Sequence, residues 1–159
     1  MKPVDQTLLM ERDGEGDCLH ACVASILELA PTVLRPWPGK LDMRTGTFEL
    51  GDGRKVSWWL VFEELIEAVG YCPVLVTWWR GGVPSLHGWS IVSGPSPRDP
   101  QIQHSCVAFD GVIVHDPHPS RAGLRKLTDA IVLLRLAESS ADRAIGRQVP
   151  GVAEPHAPL

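Results

Sequence analysis

Apolar residues recur at two different periods along this 159-residue chain, and the change of period divides it. In the run CLHACVASILEL, residues 18–29, apolar positions fall at 18, 22, 26 and 29 and again at 19, 23 and 27. That three-and-four spacing belongs to a helix buried over most of its circumference. Asp17 stands where an N-cap belongs and Pro31 lies just past the last periodic position, so Cys18 is expected to open the helix. A second helix is expected over 57–69, SWWLVFEELIEAV, with Ser57 as cap and Gly70 as terminator. The period then shortens. Residues 73–79, 87–92, 103–109 and 112–115 are rich in β-branched or aromatic side chains, are bounded by Gly, Pro or Asp, and read as strands. The run 131–136 fits either a strand or the end of a helix, since periodicity alone does not separate the two.

Two stretches carry no sustained period. Residues 31–56, rich in Pro and Gly, read as an ordered excursion whose fold is not legible. The segment 137–159, with three prolines and no aromatic residue, is expected to be a flexible tail behind a single domain spanning 1–136. Two helices followed by a meander of strands with short connections indicate an α+β domain with an antiparallel sheet, because parallel crossovers need longer links.

Composition narrows the function classes. The chain is 44% apolar and 21% charged, with 15 Lys+Arg against 19 Asp+Glu and a formal net charge of −4. This balance argues against a disordered chain, and the want of a basic excess argues against a nucleic-acid partner. No apolar run is long enough to cross a bilayer, and MKPVDQTLLMERDGEGD lacks the pattern of a secretion signal, so neither a membrane partner nor export is expected. The expectation is a cytoplasmic protein whose four cysteines, at 18, 22, 72 and 106, are reduced thiols.

A thiol attacks as thiolate, and a helix N-terminus with a nearby histidine favours that form, lowering a pKa of about 8.5 into the range of roughly 3.5–7.5. Cys18 has the helix start built in, and Gly14-Glu15-Gly16 before it would let a substrate backbone approach closely. Cys22, one turn further, is expected to be an inert core thiol. The histidine with its orienting acid is sought in HSCVAFDGVIVHDP, residues 104–117. A two-residue Asp110-Gly111 turn would place His104 and Asp116 on opposite faces of the hairpin. A three-residue loop, Phe109-Asp110-Gly111, pairs 108 with 112 and 104 with 116, which makes the two direct neighbours above an apolar floor of Cys106, Ala108, Val112 and Val114. The second register is the one expected. Cys18 then serves as nucleophile, His104 as base and Asp116 as the group that orients it.

These blocks resemble a known superfamily. GDCLHACVASILEL at 16–29, followed by His104 and Asp116-Pro117, is similar to the papain-like cysteine peptidases, nearest to the bacterial peptidases that trim double-glycine leader peptides. HDPHPSRAGL and SGPSPR also resemble a group of short bacterial and phage proteins of unassigned activity. The resemblance covers about half the chain, in two blocks. It implies a papain-like fold, a helix bearing the nucleophile packed on an antiparallel sheet, and a cysteine-dependent hydrolase acting on peptide or isopeptide bonds without a cofactor. Its substrate would be a peptide or protein. Deamidation or acyl transfer would use the same triad. The family's oxyanion donor is a Gln several residues before the nucleophile; here the only upstream Gln is Gln6, twelve residues before Cys18. Gln6 and the Cys18 backbone are therefore the oxyanion candidates. Leu19-His20 stand where the leader peptidases usually have Gly-Pro.

Other residues carry rival chemistry. His87 also begins a strand and is the alternative base, although Asp99 beyond it lies in a Pro-rich loop that no regular pairing fixes; His87 otherwise joins the substrate-binding candidates. One of Trp78 and Trp79 is expected to line a substrate groove, since alternate strand positions face opposite ways, and Arg98 is placed to meet a substrate carboxylate. Arg80-Gly81-Gly82 reads as a hairpin turn. His115, Asp116 and His118 would suit a metallohydrolase only if the strand stopped at His115, and no metal is assigned. A non-catalytic module binding a protein through its tryptophan-bearing surface is the remaining alternative.

Overall fold

The computed structural model describes residues 1–9, 13, 15–34, 36–39, 41–42, 45–78 and 84–137. Trp79, the Arg80-Gly81-Gly82 turn and the segment beyond 137 lie outside the described residues. The first helix, α1, runs over Cys18–Leu27. It ends where Glu28 takes a left-handed conformation, φ 55°, and the Leu29 N–H turns back to the Ala24 carbonyl at 3.0 Å. The helix is thus two residues shorter than expected. Leu29 is still half-buried against the core, so its apolar position reports the packing that follows a left-handed helix end. The second helix, α2 (Trp58–Glu67), is capped by Ser57, whose Oγ accepts from Trp59 N–H at 3.3 Å, and it buries Phe62, Leu65 and Ile66.

The excursion between the helices folds into a small antiparallel sheet of β1 (Leu41–Asp42), β2 (Thr47–Glu49) and β3 (Lys55–Ser57). Its buried residue is Phe48, which stacks on Trp37 with ring centroids 5.3 Å apart. Gly46 turns into β2 at φ +65°, and a Cβ there would press on the Trp58 ring at 3.3 Å, so glycine lets this sheet close on the start of α2.

The main sheet contains β4 (Tyr71–Thr77), β5 (Trp89–Pro95), β6 (Gln103–Phe109), β7 (Val112–His115) and β8 (Asp129–Arg135), in the order β4-β8-β5-β6-β7. Every pairing is antiparallel. The architecture is α+β. The run 131–136 is strand rather than helix, and a simple meander is not formed, because β8 inserts between β4 and β5. Its consecutive residues Ala130 and Ile131 are both buried, a demand that only a strand covered on two faces and flanked on two edges meets. β4 is left at the edge, where Pro73 costs the ladder least.

Register sorts the core into two layers. Ile91 pairs with both Val107 and Ile131, and against these three pack Cys22, Val23 and Ala24 of α1 with the buried residues of α2. One residue further along, Val92 pairs with Cys106 and Ala130 on the opposite face, covered by Trp78, Leu86, Ile113, Leu124 and Leu127. Each fully buried aliphatic side chain contributes roughly 1.5–3 kcal/mol. Trp78 therefore belongs to a core layer, not to a groove. No described helix is long and apolar enough to cross a membrane.

Candidate active site

The site is built at one end of β6, where the hairpin to β7 decides which side chains meet. The connection is the two-residue turn Asp110-Gly111: Phe109 pairs with Val112, and both turn residues have positive φ, 49° and 79°. Those are the values a tight hairpin matching the sheet's twist requires. The three-residue loop expected from sequence is not formed. A β-bulge supplies what that loop was meant to supply. Ala108 pairs with Ile113 but Val107 pairs with His115, so Val114 is the extra residue. One inserted residue reverses the facing of all that follows it. His104 and Asp116 are thereby returned to one side. Val112 and Val114, at 65% and 49% exposure, face outward and contribute nothing to the expected floor.

His104 Nε2–H donates to Asp116 Oδ1 at 2.7 Å, and both side chains are only 4% exposed. Asp116 is held from two further sides, by His118 N–H on Oδ1 and Gly123 N–H on Oδ2, each at 2.8 Å. Burial would raise its pKa, but these three donors outweigh that and hold the carboxyl down at about 2. Burial likewise pulls the His104 imidazolium down, yet hydrogen bonding to Asp116 and then to the sulfurs of Cys106 and Cys18 pushes it up to about 11. With Nε2 committed to Asp116, Nδ1 is the ring's remaining nitrogen. Gly94 pairs with His104 across β5 and β6; a Cβ there would lie 1.8 Å from the Lys126 carbonyl oxygen, so the chain passes over β5 at backbone contact.

Cys18 is half-buried at the start of α1. Asp17 does not cap that helix through its side chain. Its carboxylate instead accepts from Thr7 N–H at 3.0 Å, Thr7 Oγ1–H at 2.8 Å and Leu8 N–H at 3.0 Å, and so ties the N-terminal arm to the helix start. The same arm is fastened by Val4 N–H to Ser25 Oγ at 2.9 Å, by His115 Nε2–H to the Val4 carbonyl at 2.8 Å and by Gln6 N–H to the Pro117 carbonyl at 3.1 Å. Arg121 joins in, pairing with Asp5 at 2.7 Å and donating to the Asp116 carbonyl. Gln6 is consequently buried and lines the same cleft as Cys18 despite its distance in sequence. Its Nε2 donates to the Leu8 carbonyl at 2.8 Å, while Oε1 is buried without a hydrogen-bond partner.

A cleft of about 800 Å³ opens over this end of the sheet. Gln6, Cys18, His104 and Arg98 all line it, with Asp116 directly behind the imidazole. Trp37, Phe48 and Trp58 form an aromatic wall of it, supplied by the loop before β1, by β2 and by the start of α2. That wall went unrecognised in the sequence, where only the abundance of tryptophan hinted at it. Trp78 and His87 do not line the cleft; His87 is exposed ahead of β5. Arg98 donates to Ser120 Oγ at 2.8 Å, and Ser120 N–H in turn donates to His118 Nδ1 at 3.0 Å. The His20 ring meets Trp37 edge-on, centroids 4.3 Å apart.

The trio His115, Asp116 and His118 does not converge, since the three engage Val4, His104 and Ser120 respectively. Among the described residues, the group with metal-ligand spacing is His104, Cys106 and Asp116. Cys22 and Cys106 are fully buried, and burial pushes both thiols up. None of the four cysteines is in a disulfide. Comparison with protein-family models, with curated proteins and with solved structures yields no match.

Proposed function

We propose that this chain is a papain-like cysteine hydrolase that cleaves an amide bond of a peptide or protein by way of an acyl-enzyme. The observation that carries this is the buried hydrogen bond from His104 to Asp116 at the wall of an open cleft that Cys18, at the start of α1, also lines. Cys18 Sγ attacks the carbonyl carbon while the imidazolium holds the proton as counter-charge. The oxyanion that forms is met by the Cys18 backbone N–H at the helix start and by the Gln6 side-chain amide. Collapse of this intermediate breaks the C–N bond. His104 gives its proton to the departing amine, and the acyl group stays on sulfur as a thioester. Water, activated by the now neutral imidazole, releases the acid; an amine in its place would give acyl transfer. Asp116 holds the ring with Nδ1 toward the sulfur throughout. The aromatic wall and Arg98 favour a substrate with an apolar side chain on one side of the scissile bond and an acidic group on the other.

Limiting iodoacetamide across pH, followed by mapping of the label, tests the pair. Cys72, half-buried like Cys18 but on the edge strand β4 opposite Leu134, is the internal control. Cys18 is expected to label first, at pH values where Cys72 is silent, and His104→Ala is expected to remove that advantage. Equal labelling of Cys18 and Cys72 at every pH would refute the proposal.

A further inference from the structure

Register lays a polar row across the main sheet where the cleft begins. Ile91 lies between Val107 and Ile131 beneath the helices, and two residues further along β5, Ser93 lies between Ser105 and Asp129. Residues two apart on a strand share a face, so the aliphatic row under the helices continues as Asp129, Ser93 and Ser105. All three line the cleft with Cys18 and His104. The Ser93 and Ser105 hydroxyls hydrogen-bond to each other at 3.1 Å. Asp129 is half-buried, and its Oδ2 accepts from Thr128 Oγ1–H at 2.8 Å. Among the described residues no cation pairs with it, and the arginine of the cleft, Arg98, donates to Ser120 instead. A carboxylate met by one neutral donor depends on water for the rest of its solvation, and a substrate lying over it takes that water away.

We propose, resting on the hydrolase reading above, that Asp129 is the specificity-determining residue of the cleft and receives the cationic end of a lysine or arginine side chain of the peptide substrate. The apolar side chain inferred for that substrate is thereby narrowed to one that ends in a cation. Its aliphatic stem is apolar enough to lie along Trp37, Phe48 and Trp58, which line the same cleft, while its head stays with the carboxylate. A guanidinium can meet a carboxylate with two parallel hydrogen bonds, an ammonium with one charge-assisted bond. The Ser93 hydroxyl, beside Asp129 in register, can accept a remaining donor. Selection comes as much from exclusion. A neutral side chain in the same place leaves Asp129 dehydrated and unpaired, and an acidic one is repelled. Of the other described lining residues, Glu15 and Asp99 add negative charge and Arg98 offsets one of them, so the field in the cleft draws the same cation.

Calorimetric titration of the purified full chain with Nα-acetyl-arginine amide and with Nα-acetyl-citrulline amide tests this, because the two side chains match in shape and differ in charge. The arginine amide is expected to bind at least roughly 10-fold more tightly, as a hydrogen bond to a charged group predicts, with the difference shrinking as salt is raised. Asp129→Asn is expected to abolish the preference. If that variant does not fold, judged by circular dichroism, Asp129→Ser, which keeps a partner for the Thr128 hydroxyl, makes the same comparison. No saturable binding of the arginine amide, equal binding of the two amides by the wild-type chain, or a preference that survives in a folded Asp129 variant would overturn the assignment. Turnover is not needed for this measurement. Charge preference without selective Cys18 labelling would leave Asp129 standing as a cation-binding residue and remove the hydrolase; selective labelling without charge preference would remove the role of Asp129 alone.

Discussion

Replacing Asp116 by Asn keeps the side chain's shape and removes its charge, which isolates what the carboxylate does for both stability and the imidazole. The carboxyl is held at about 2 against an ordinary value of 3.8. By linkage that difference corresponds to roughly 2–3 kcal/mol, little screened by solvent because the side chain is 4% exposed. A group with a depressed folded pKa stabilises above its unfolded value and loses that contribution as pH falls through the folded one. His104 works in the opposite sense: raised to about 11 from 6.5, it stabilises fully below pH 6.5 and fades as pH climbs toward 11. The pair is thus at full strength between about pH 4 and pH 6.5. The histidine moves further than the carboxyl because it also meets two sulfurs, so the carboxyl's shift is the fairer measure of the ion pair alone.

Chemical denaturation of wild type and Asp116→Asn at pH 6 and pH 3 reads this out. At pH 6 the variant is expected to be less stable by about 2–3 kcal/mol from the charge. About 1–3 kcal/mol more is expected because the amide cannot accept from both His118 N–H and Gly123 N–H, leaving one donor unpaired. At pH 3 wild type has given up about half of the carboxylate's contribution, which the variant never had, so that part of the gap should narrow by roughly 1 kcal/mol. The selective alkylation of Cys18 should weaken in the same variant, since the hydrogen bond to Asp116 is the largest of the contacts that hold the imidazole's pKa up. A gap independent of pH would show that Asp116 acts only through its hydrogen-bonding shape and would refute the ion pair.

Two other substitutions test how the site is held. Gly94→Ala drives a methyl group into the Lys126 carbonyl and is expected to cost about 1–3 kcal/mol in urea denaturation, with loss of selective Cys18 labelling because His104 is its cross-strand partner. Ser25→Ala removes the acceptor for Val4 N–H, and about 1–3 kcal/mol of stability should go with it, together with faster proteolytic cleavage of the N-terminal arm.

How much of this was legible follows from how local each determinant is. The helix that opens at Cys18 and the strands β6 and β7 declare themselves through period, cap and turn residues within a few positions of one another. The pairing of His104 with Asp116 rests on a parity, and parity was reached by a different route from the one expected. Asp110-Gly111 is a strong signal for the two-residue turn, and that turn alone would separate the two side chains. The bulge at Val114 has no marker of its own, because Val114 is chemically like its neighbours. What selects it is tertiary: without it, two buried ionisable groups would face opposite layers, each desolvated and unpaired, at a cost of several kcal/mol. The N-terminal arm was illegible for a related reason. Its anchors join Val4 to His115 and Asp5 to Arg121 over more than a hundred residues of chain, and polar contacts at that separation leave no period behind. Asp17 shows the consequence in a single side chain. Its position spells a helix cap, yet the carboxylate serves Thr7 and Leu8, and by doing so holds the arm so that Gln6 lines the cleft of Cys18, from which a spacing rule along the chain would have kept it.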